Sequence, residues 1–396
     1  MRRPKFLSSS AFKLVPHQGA RSIELDFVRG IAILLVMGLH FVTVPTRNPL
    51  FLILQYPGKR FGGAGVDIFF VLSGFLVGGL LMKEYSKTEA LDAKRFILRR
   101  GLKIWPQYYV FILLEIITHA HPLKTFLWQN LLHVQNYTGS SISHSWSLAV
   151  EEHFYLALAF GMGWMVRRKW TAGRMLTVFL LVMAVVFVSR TICFFTLGHH
   201  SAFEDTHNRI DSLLCGVILA LLFYFFPERF AFISRRKLPL ALIVGLVVIF
   251  LCTVQSNLIS DTIGLTLLYL GAAAFLLLVY SHSQRIRQWL VYRIIAAIGV
   301  YSYAIYLYQN SIRYPSLHIA MHFPAPLRWP VLMIFQYSAA ILAGVIMTRL
   351  VEWPFLRYRD RILPQRVRDI GSPESAQVMP AYPQTSAAQE LQKTGS

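Results

Sequence analysis

Arg29 and His40 are two ionisable residues that lie eleven positions apart in an otherwise apolar run of the chain. Eleven residues make about three turns of an α-helix, so both side chains lie on nearly the same face, roughly 16 Å apart along the axis. Guanidinium binds phosphate or carboxylate, and imidazole can take a proton from a hydroxyl group near neutral pH. The spacing therefore predicts an Arg at one membrane surface and an ionisable His near the midplane of the bilayer, where such a group usually faces a protein-lined or wet cavity. The alternative is structural: an Arg that reaches the surface and a His that bonds a neighbouring helix.

A run of basic residues precedes the third apolar segment of the chain. Arg95, Arg99 and Lys103 recur every four residues, and Arg100 lies three residues before Lys103, so the run has helical periodicity. Such a helix face can hold a phosphate-bearing ligand at the membrane surface, because guanidinium groups bind phosphate through paired hydrogen bonds. A cytosolic membrane anchor is the alternative for the same run.

Carboxylates occur inside two other apolar segments. Asp67 follows a glycine-rich stretch and needs a partner or water, and a buried Arg would satisfy it structurally. Glu151 and Glu152 are adjacent and point about 100° apart on a helix, so they do not form a catalytic pair. We expect one to face a cavity while the other pairs with a buried Arg such as Arg190 or Arg209.

The elements that carry these residues are expected to be membrane-spanning helices. The chain has 396 residues, of which 55% are hydrophobic and 15% charged, and its mean hydropathy is +0.49. Long apolar segments recur along it, as in a polytopic membrane protein. We predict an all-α fold, a polytopic transmembrane helical bundle of about ten spans. The spans are predicted at 26–45, 63–82, 104–120, 146–165, 175–197, 209–226, 239–255, 261–280, 294–318 and 329–351.

The formal net charge of +20 is explained by membrane orientation rather than by a polyanionic partner. On the ten-span prediction the basic residues are concentrated in alternate loops, as the positive-inside rule describes. This asymmetry predicts that both termini are cytosolic, and it removes the reason to expect nucleic-acid binding. The cysteines have no metal-ligand spacing, so we expect no metal site; they are Cys193, Cys215 and Cys252.

Three regions are predicted along the chain: a cytosolic N-terminal segment at 1–24, a membrane domain at 25–358 and a cytosolic tail at 359–396. From residue 365 the tail is rich in Pro, Ser, Gln and Ala and has no apolar periodicity, so we expect disorder. No loop is long enough for a folded soluble domain. The residues with chemical potential therefore lie in one helical membrane domain.

Taken in order, the polar motifs resemble those of the acyltransferase-3 family of bacterial integral membrane enzymes, which acylate mainly carbohydrates. The resemblance covers roughly residues 22–358. The Arg-x10-His pair is the family's signature, and the other motifs follow it along the chain. The matching motifs are Arg29-x10-His40, Gly65-Val-Asp-Ile-Phe-Phe-Val-Leu-Ser-Gly-Phe75, the basic run ending at Pro106, Trp146-Ser-Leu-x-x-Glu151, Arg209-Ile-Asp211, Ser302-Tyr303 and Glu352-Trp-Pro-Phe355.

The sequence departs from the family pattern at three points. The family often has an Arg-x-x-Arg pair where this chain has Arg100 and Lys103, so a point charge replaces a forked donor. Many relatives have His near the position of Gln309, which cannot transfer a proton. Some relatives carry an appended extracytoplasmic hydrolase-like domain. We expect none here, so acceptor choice would reside in the membrane domain or in a separate protein.

The resemblance implies an acyl-CoA donor, most often acetyl-CoA, which enters from the cytosol as a substrate, and no permanently bound cofactor. Four cations could hold the donor's phosphates, and these are Arg29, Arg99, Arg100 and Lys103. The pantetheine arm could then run along the first helix and place the thioester near His40. His40 would act as general base or as transient nucleophile, so direct transfer and a covalent acyl-enzyme both stay open.

The resemblance also implies roles for two carboxylates, an acceptor and a location. Glu151 would orient or charge-balance the site, and Asp67 would position a basic partner, with Arg29 and His40 completing the catalytic set. The acceptor would be a hydroxyl of a carbohydrate or glycoconjugate. The protein would lie among the lipids of the bacterial cytoplasmic (inner) membrane.

Two other functions compete with acyl transfer. Polar residues inside a membrane domain also suit a transporter or flippase of a lipid-linked or acylated small molecule. A cation cluster aligned with a deep His favours the enzyme, because it suits donor phosphates and a thioester. A non-catalytic membrane partner is disfavoured, since Arg29 and His40 are both intact.

Overall fold

A computed structural model describes residues 22–118, 123–139, 142–281 and 287–364. Within these ranges every regular element is a helix and there is no strand, which confirms the all-α prediction. Two short 3₁₀ turns (Ser143–Ser145 and Gln309–Ile312) and two π-helical turns (Ser260–Gly264 and Thr348–Glu352) interrupt the α-helices. The α-helices are α1 Ile23–His40, α2 Pro49–Thr88, α3 Ala93–Thr118, α4 Leu123–Leu131, α5 Gln135–Thr138, α6 Trp146–Arg167, α7 Ala172–Leu197, α8 His199–Glu204, α9 Thr206–Phe225, α10 Pro227–Arg235, α11 Lys237–Thr253, α12 Asn257–Ile259, α13 Leu265–Ser281, α14 Leu290–Val300, α15 Ser302–Tyr308, α16 Arg313–Met321, α17 Ala325–Met347 and α18 Trp353–Ile362.

Within the described ranges, five helices are long and apolar enough to cross a membrane, or up to seven if each of two bent helix pairs forms one span. The five are Pro49–Thr88, Ala172–Leu197, His199–Phe225, Asn257–Tyr280 and Ala325–Ile362. The chain is therefore a multi-pass membrane protein. Helices cover most of each of the ten predicted segments, but the count of ten spans and the cytosolic location of both termini stay predictions.

The difference between five and ten arises largely at the helices that carry the polar motifs. Glu24, Asp26 and Arg29 all lie within the eighteen residues of α1, and Glu151 and Glu152 lie within α6. These charges lower the apolarity of helices that pack in the same bundle as the longer spans. Charged side chains inside a bundle face the protein interior or a cavity rather than lipid. The polar helices are thus the ones expected to line a site.

Glycines let the helices around the site approach closely. A side chain at Gly74 of α2 would overlap the carbonyl oxygen of Leu213 on α9, and one at Gly216 of α9 would overlap the backbone of α2. Gly30 of α1 and Gly299 of α14 meet each other's helices in the same way. Small residues at helix contacts are the usual means of tight packing in membranes. Helices α1, α2, α9 and α14 therefore form a close framework.

The ninth predicted span, 294–318, is bent rather than straight. The helix stops at Val300, and the segment Ser302–Met321 leaves it at 64°. The bend turns the first helix of this segment, α15, toward α1, α3 and α6. There Tyr303 and Tyr306 line a cavity. The sequence pattern did not predict the break, because the apolar run continues through it.

Helical backbone continues to Ile362, four residues beyond the predicted end of the membrane domain at residue 358. The predicted disordered tail lies almost entirely at 365–396, and the predicted N-terminal segment almost entirely at 1–21. Both of these ranges lie outside the described residues.

Candidate active site

A cavity of about 140 Å³ lies among α1, α2, α3, α6 and α15. It brings together four residues that the sequence identified, Arg29, Arg100, Lys103 and Glu151, which come from three different helices. Other polar side chains complete its lining, and they are Ser73, Ser147, Tyr155, Ser302, Tyr303 and Tyr306. The remaining predicted residues, Arg99, Asp67 and His40, do not line it.

Two of the three cations of the cavity contact neighbouring side chains that hold them in place. Arg29 bonds Asp26 one turn earlier on α1 at 2.7 Å, and its side chain is 25% exposed. Arg100 lies over the ring of Tyr155, 4.7 Å from the ring centre. Glu151 lies beside Tyr155 and close to the charge of Arg100. With Asp26 balancing Arg29 and Glu151 close to Arg100, three basic groups face two carboxylates, and the remaining positive charge suits an anionic ligand.

The basic side chains of the cavity can bind a phosphate-bearing ligand. Arg29 and Arg100 offer forked hydrogen-bond donors, and Lys103 offers a point charge. Among the described residues no three His, Cys, Asp or Glu side chains are grouped so as to hold a metal ion. The basic side chains can bind an anion, and the apolar part of the lining can accept an apolar part of the same ligand; the apolar residues are Val66, Phe69, Phe70, Leu72, Leu76, Ile104 and Leu148.

His40 is the last residue of α1 and meets polar side chains of the bent segment. The Gln309 amide nitrogen lies 3.1 Å from Nδ1 of His40, and the ring of His144 lies 6.0 Å away, centre to centre. His144 itself is bound on both sides: Nδ1 lies 2.7 Å from the Asn310 amide nitrogen, and Nε2 lies 3.2 Å from the Leu307 carbonyl oxygen. This pattern fits a neutral His144 that carries its proton on Nε2.

The C-terminal end of α1 is braced by side chains of two other helices. The Lys59 ammonium group donates to the carbonyl oxygens of Leu39 and Phe41, at 3.2 and 2.7 Å. The Gln336 amide accepts from the backbone N–H of Val42 at 3.1 Å and donates to its carbonyl oxygen at 3.0 Å. These contacts fix the backbone that carries the histidine. The sequence did not identify either residue, because an isolated Lys or Gln has no spacing that marks it.

Arg99 lies outside the cavity, although it belongs to the predicted donor-binding set. Its guanidinium group bonds the Asp360 carboxylate at 3.1 Å and also donates to the Leu363 carbonyl oxygen. These partners belong to α18 and the residue that follows it. Arg99 thus ties α3 to α18, while Arg100 and Lys103 on the neighbouring faces reach the cavity.

Asp67 forms a buried ion pair between α2 and α9. Its carboxylate accepts from Arg209 at 3.0 Å and from the Ser212 hydroxyl at 3.0 Å, and both charged side chains are almost fully buried. The Arg209 guanidinium also lies 5.6 Å from the ring centre of Phe70 and 5.5 Å from that of Trp146. This is the structural arrangement that the sequence allowed for Asp67, and it holds Arg209 against the aromatic core.

The expectation for Glu152 is wrong. Glu151 faces the cavity as one of the two glutamates was expected to do, but Glu152 accepts a hydrogen bond from the Trp105 indole at 3.0 Å. Arg190, one of the two arginines proposed as its partner, pairs instead with Asp211 at 2.7 Å. Arg209, the other proposed arginine, pairs with Asp67 of α2 at 3.0 Å. Aspartates on other helices pair with both arginines, which sequence spacing alone does not reveal.

The fold and the site together define a class: an all-helical, multi-pass membrane protein whose helices enclose a small cationic cavity. A family model described as an acyltransferase domain, that of the acyltransferase-3 family, matches residues 22–350. The chain belongs to this family, which confirms the resemblance found in the sequence motifs.

Several named proteins are similar to this chain. The peptidoglycan O-acetyltransferase OatA of Listeria monocytogenes is 24% identical over 372 residues, covering 84% of this chain and 55% of that protein. A protein of Staphylococcus aureus strain MRSA252 whose name marks it as an O-acetyltransferase is 25% identical over 348 residues, covering 78% of this chain and 56% of that protein. The chain thus spans little more than half the length of these relatives. No solved structure matches it.

Proposed function

We propose that this protein is a membrane-embedded O-acyltransferase that moves an acyl group, expected to be acetyl, from cytosolic acyl-CoA to a hydroxyl of a carbohydrate or glycoconjugate. Membership of the acyltransferase-3 family and the names of the relatives support this proposal. The structural observation that carries it is the convergence of Arg29, Arg100 and Lys103 on one cavity, together with Glu151. We propose the bacterial cytoplasmic (inner) membrane as its location, with ten spans and both termini in the cytosol.

The cavity is proposed to bind the phosphate-bearing end of the donor. Acyl-CoA carries several phosphate charges, and three cations within one small cavity can neutralise part of them through charge-assisted hydrogen bonds. Arg99 would contribute only indirectly, by holding α18 beside α3. Acyl-CoA is a substrate in this scheme and leaves after each reaction.

His40 is proposed as the general base. The acceptor hydroxyl loses its proton to the imidazole as its oxygen attacks the thioester carbonyl, and a C–O bond forms. The C–S bond then breaks, and the leaving thiolate takes the proton from the imidazolium to give free CoA. A covalent route, in which His40 first carries the acyl group, is the alternative; an acyl-histidine trapped with donor alone would support it.

A cell-wall polysaccharide is the proposed class of acceptor. The support is the name of the Listeria relative, a peptidoglycan O-acetyltransferase, and the chain spans just over half of that protein. Mass spectrometry of peptidoglycan and other surface glycans from cells with and without this protein tests the proposal. Loss of one acyl ester on deletion is expected. An unchanged acyl content in every surface glycan would contradict it.

A transporter or flippase is the alternative function, because buried polar residues also serve transport. Release of CoA from acyl-CoA by the purified protein, dependent on an added glycan acceptor, distinguishes the two. A transferase releases CoA and esterifies the acceptor in equal amounts. A transporter in liposomes moves its cargo and releases no CoA.

Removing one cavity cation is expected to weaken donor binding. Loss of a charge-assisted hydrogen bond costs about 1.5–3 kcal/mol, so Arg100→Gln or Lys103→Gln should raise the KM for acetyl-CoA about ten- to a hundredfold. The measurement is initial CoA release against acetyl-CoA concentration. Lys94→Gln is the matched control, because Lys94 lies on the same helix and its side chain is exposed. An unchanged KM in both cavity variants would remove this cavity from donor binding.

A further inference from the structure

Gln107 of α3 is fully buried, and neither atom of its side-chain amide has a hydrogen-bond partner among the residues that the structure describes. The side-chain oxygens of Gln309 and Asn310 are also buried without a partner within the described ranges. A buried polar group without a partner costs about 1–3 kcal/mol, and such groups are rare in folded proteins. Unpaired atoms also occur elsewhere in the described residues, but an unpaired amide near a candidate site can bind a polar ligand.

Gln107 lies between the cationic cavity and the two histidines. Lys103, one turn earlier on α3, lines the cavity. Phe111, one turn later, packs beside the ring of His144, with the two ring centres 6.0 Å apart. The ring centres of His144 and His40 are also 6.0 Å apart. Positions four residues apart share a helix face, so these three side chains of α3 form one row about 12 Å long.

Contacts with the bent segment fix the direction of this row. The Tyr303 hydroxyl donates to the Ile104 carbonyl oxygen at 3.0 Å, and the ring of Tyr308 packs against Phe111 at 5.4 Å. Gln107 lies between these two contacts along α3, so it faces the segment that also carries Gln309. Along α3, Gln107 thus lies between the lining of the cavity and the side chains that surround His40.

The chemistry of a glutamine amide narrows the choice of ligand. It offers one acceptor oxygen and two donor hydrogens, which are the complement of a secondary amide. The arm of acyl-CoA between its phosphates and its thioester contains two secondary amides. Binding of such an amide would satisfy both atoms of Gln107 at once and remove the cost of leaving them unpaired.

We propose that Gln107 is a donor-binding residue that hydrogen-bonds a secondary amide of the pantetheine arm as the arm runs from the cavity to His40. The proposal rests on the proposed function, because it assumes an acyl-CoA donor. On this proposal the cations of the cavity bind the phosphates of the donor, and Gln107 binds its pantetheine arm. Different residues therefore bind the two parts of the donor.

Binding of two ligands to the purified full chain tests this assignment. Acetyl-CoA has the arm, whereas adenosine 3′,5′-bisphosphate has the phosphates and no arm. Gln107→Met keeps the size of the side chain and removes its amide, so the Kd of acetyl-CoA should rise about tenfold and that of the bisphosphate should not change. The melting temperature without ligand should stay the same or rise, since no hydrogen bond is lost.

Gln129→Met is the matched control. Gln129 is also buried, but its amide donates to the Thr138 carbonyl oxygen at 3.2 Å, so its replacement should lower the melting temperature and leave both Kd values unchanged. An unchanged acetyl-CoA Kd in Gln107→Met would overturn the assignment. Equal weakening of both ligands, or a lower melting temperature with weaker binding, would also overturn it, because Gln107 would then act through the fold. Failure of the wild-type protein to bind acetyl-CoA would instead overturn the proposed function itself, and this assignment with it.

Discussion

Replacing His40 with Ala is expected to lower the kcat of acyl transfer by about 10²–10⁴-fold and to leave acetyl-CoA binding unchanged. General bases contribute rate enhancements of this size, and Ala at this position leaves no group to take the acceptor's proton. Donor binding should persist because Arg29, Arg100 and Lys103 line a cavity to which His40 does not contribute. The measurement is CoA release together with esterification of the acceptor, at saturating acetyl-CoA.

His318→Ala is the matched control for this experiment, because His318 is exposed on α16, and its activity should equal that of the wild type. Full acyl transfer by purified His40→Ala would remove His40 from the mechanism. A loss of folded protein, seen as a shifted elution volume in detergent, would point to a structural role instead. Incubation with donor alone and mass spectrometry of the wild type then separates the direct route from an acyl-histidine.

The contact between Gln309 and His40 bears on how this histidine would act as a base. With the amide nitrogen of Gln309 toward Nδ1, the imidazole proton lies on Nε2, and the lone pair of Nδ1 is occupied. A rotation of the Gln309 amide would bring its oxygen, which has no partner among the described residues, to Nδ1–H. Nε2 would then be the free base. The amide can therefore set the tautomer without itself transferring a proton.

Much of the site could be predicted because its parts are encoded locally. Helical periodicity places Arg100 and Lys103 on one side of α3, and the positive-inside rule assigns the basic run to one side of the membrane. The same reasoning predicted that Arg29 lies near that run and that one of the adjacent residues Glu151 and Glu152 faces a cavity. The structure brings Arg29, Arg100, Lys103 and Glu151 into one cavity, as these local patterns suggested.

The contacts between helices could not be predicted in this way. Periodicity gives the face of a helix but not its neighbour, so the pairing of Arg190 with Asp211 was missed. The bend after Val300, which brings Gln309 to His40, has no signal in an apolar run that continues through it. The number of helices that are apolar enough to count as membrane spans is also lower than predicted. The helices that supply the site carry charged residues, and these lower their apolarity.

Breaking the buried pair of Asp67 and Arg209 is expected to have the largest effect on stability. Asp67→Ala leaves the Arg209 charge buried, where water cannot replace the lost carboxylate, and removal of one partner of a buried pair costs about 3–5 kcal/mol. The pair joins α2 to α9, whose backbones also approach closely at Gly74 and Gly216, so its loss also weakens the contact between these two helices. Denaturant or thermal unfolding in a fixed detergent measures the change in the free energy of unfolding.

The double variant Asp67→Leu with Arg209→Met separates a structural role from a catalytic one. It removes both charges and keeps apolar volume between the helices, so most of the stability lost in Asp67→Ala should return. Acyl transfer should return with it if the pair serves only to join α2 to α9, as the hydrogen bonds of Asp67 to Arg209 and Ser212 indicate. A stable but inactive double variant that still binds acetyl-CoA would show that at least one member of this pair takes part in the reaction, and would contradict a purely structural role.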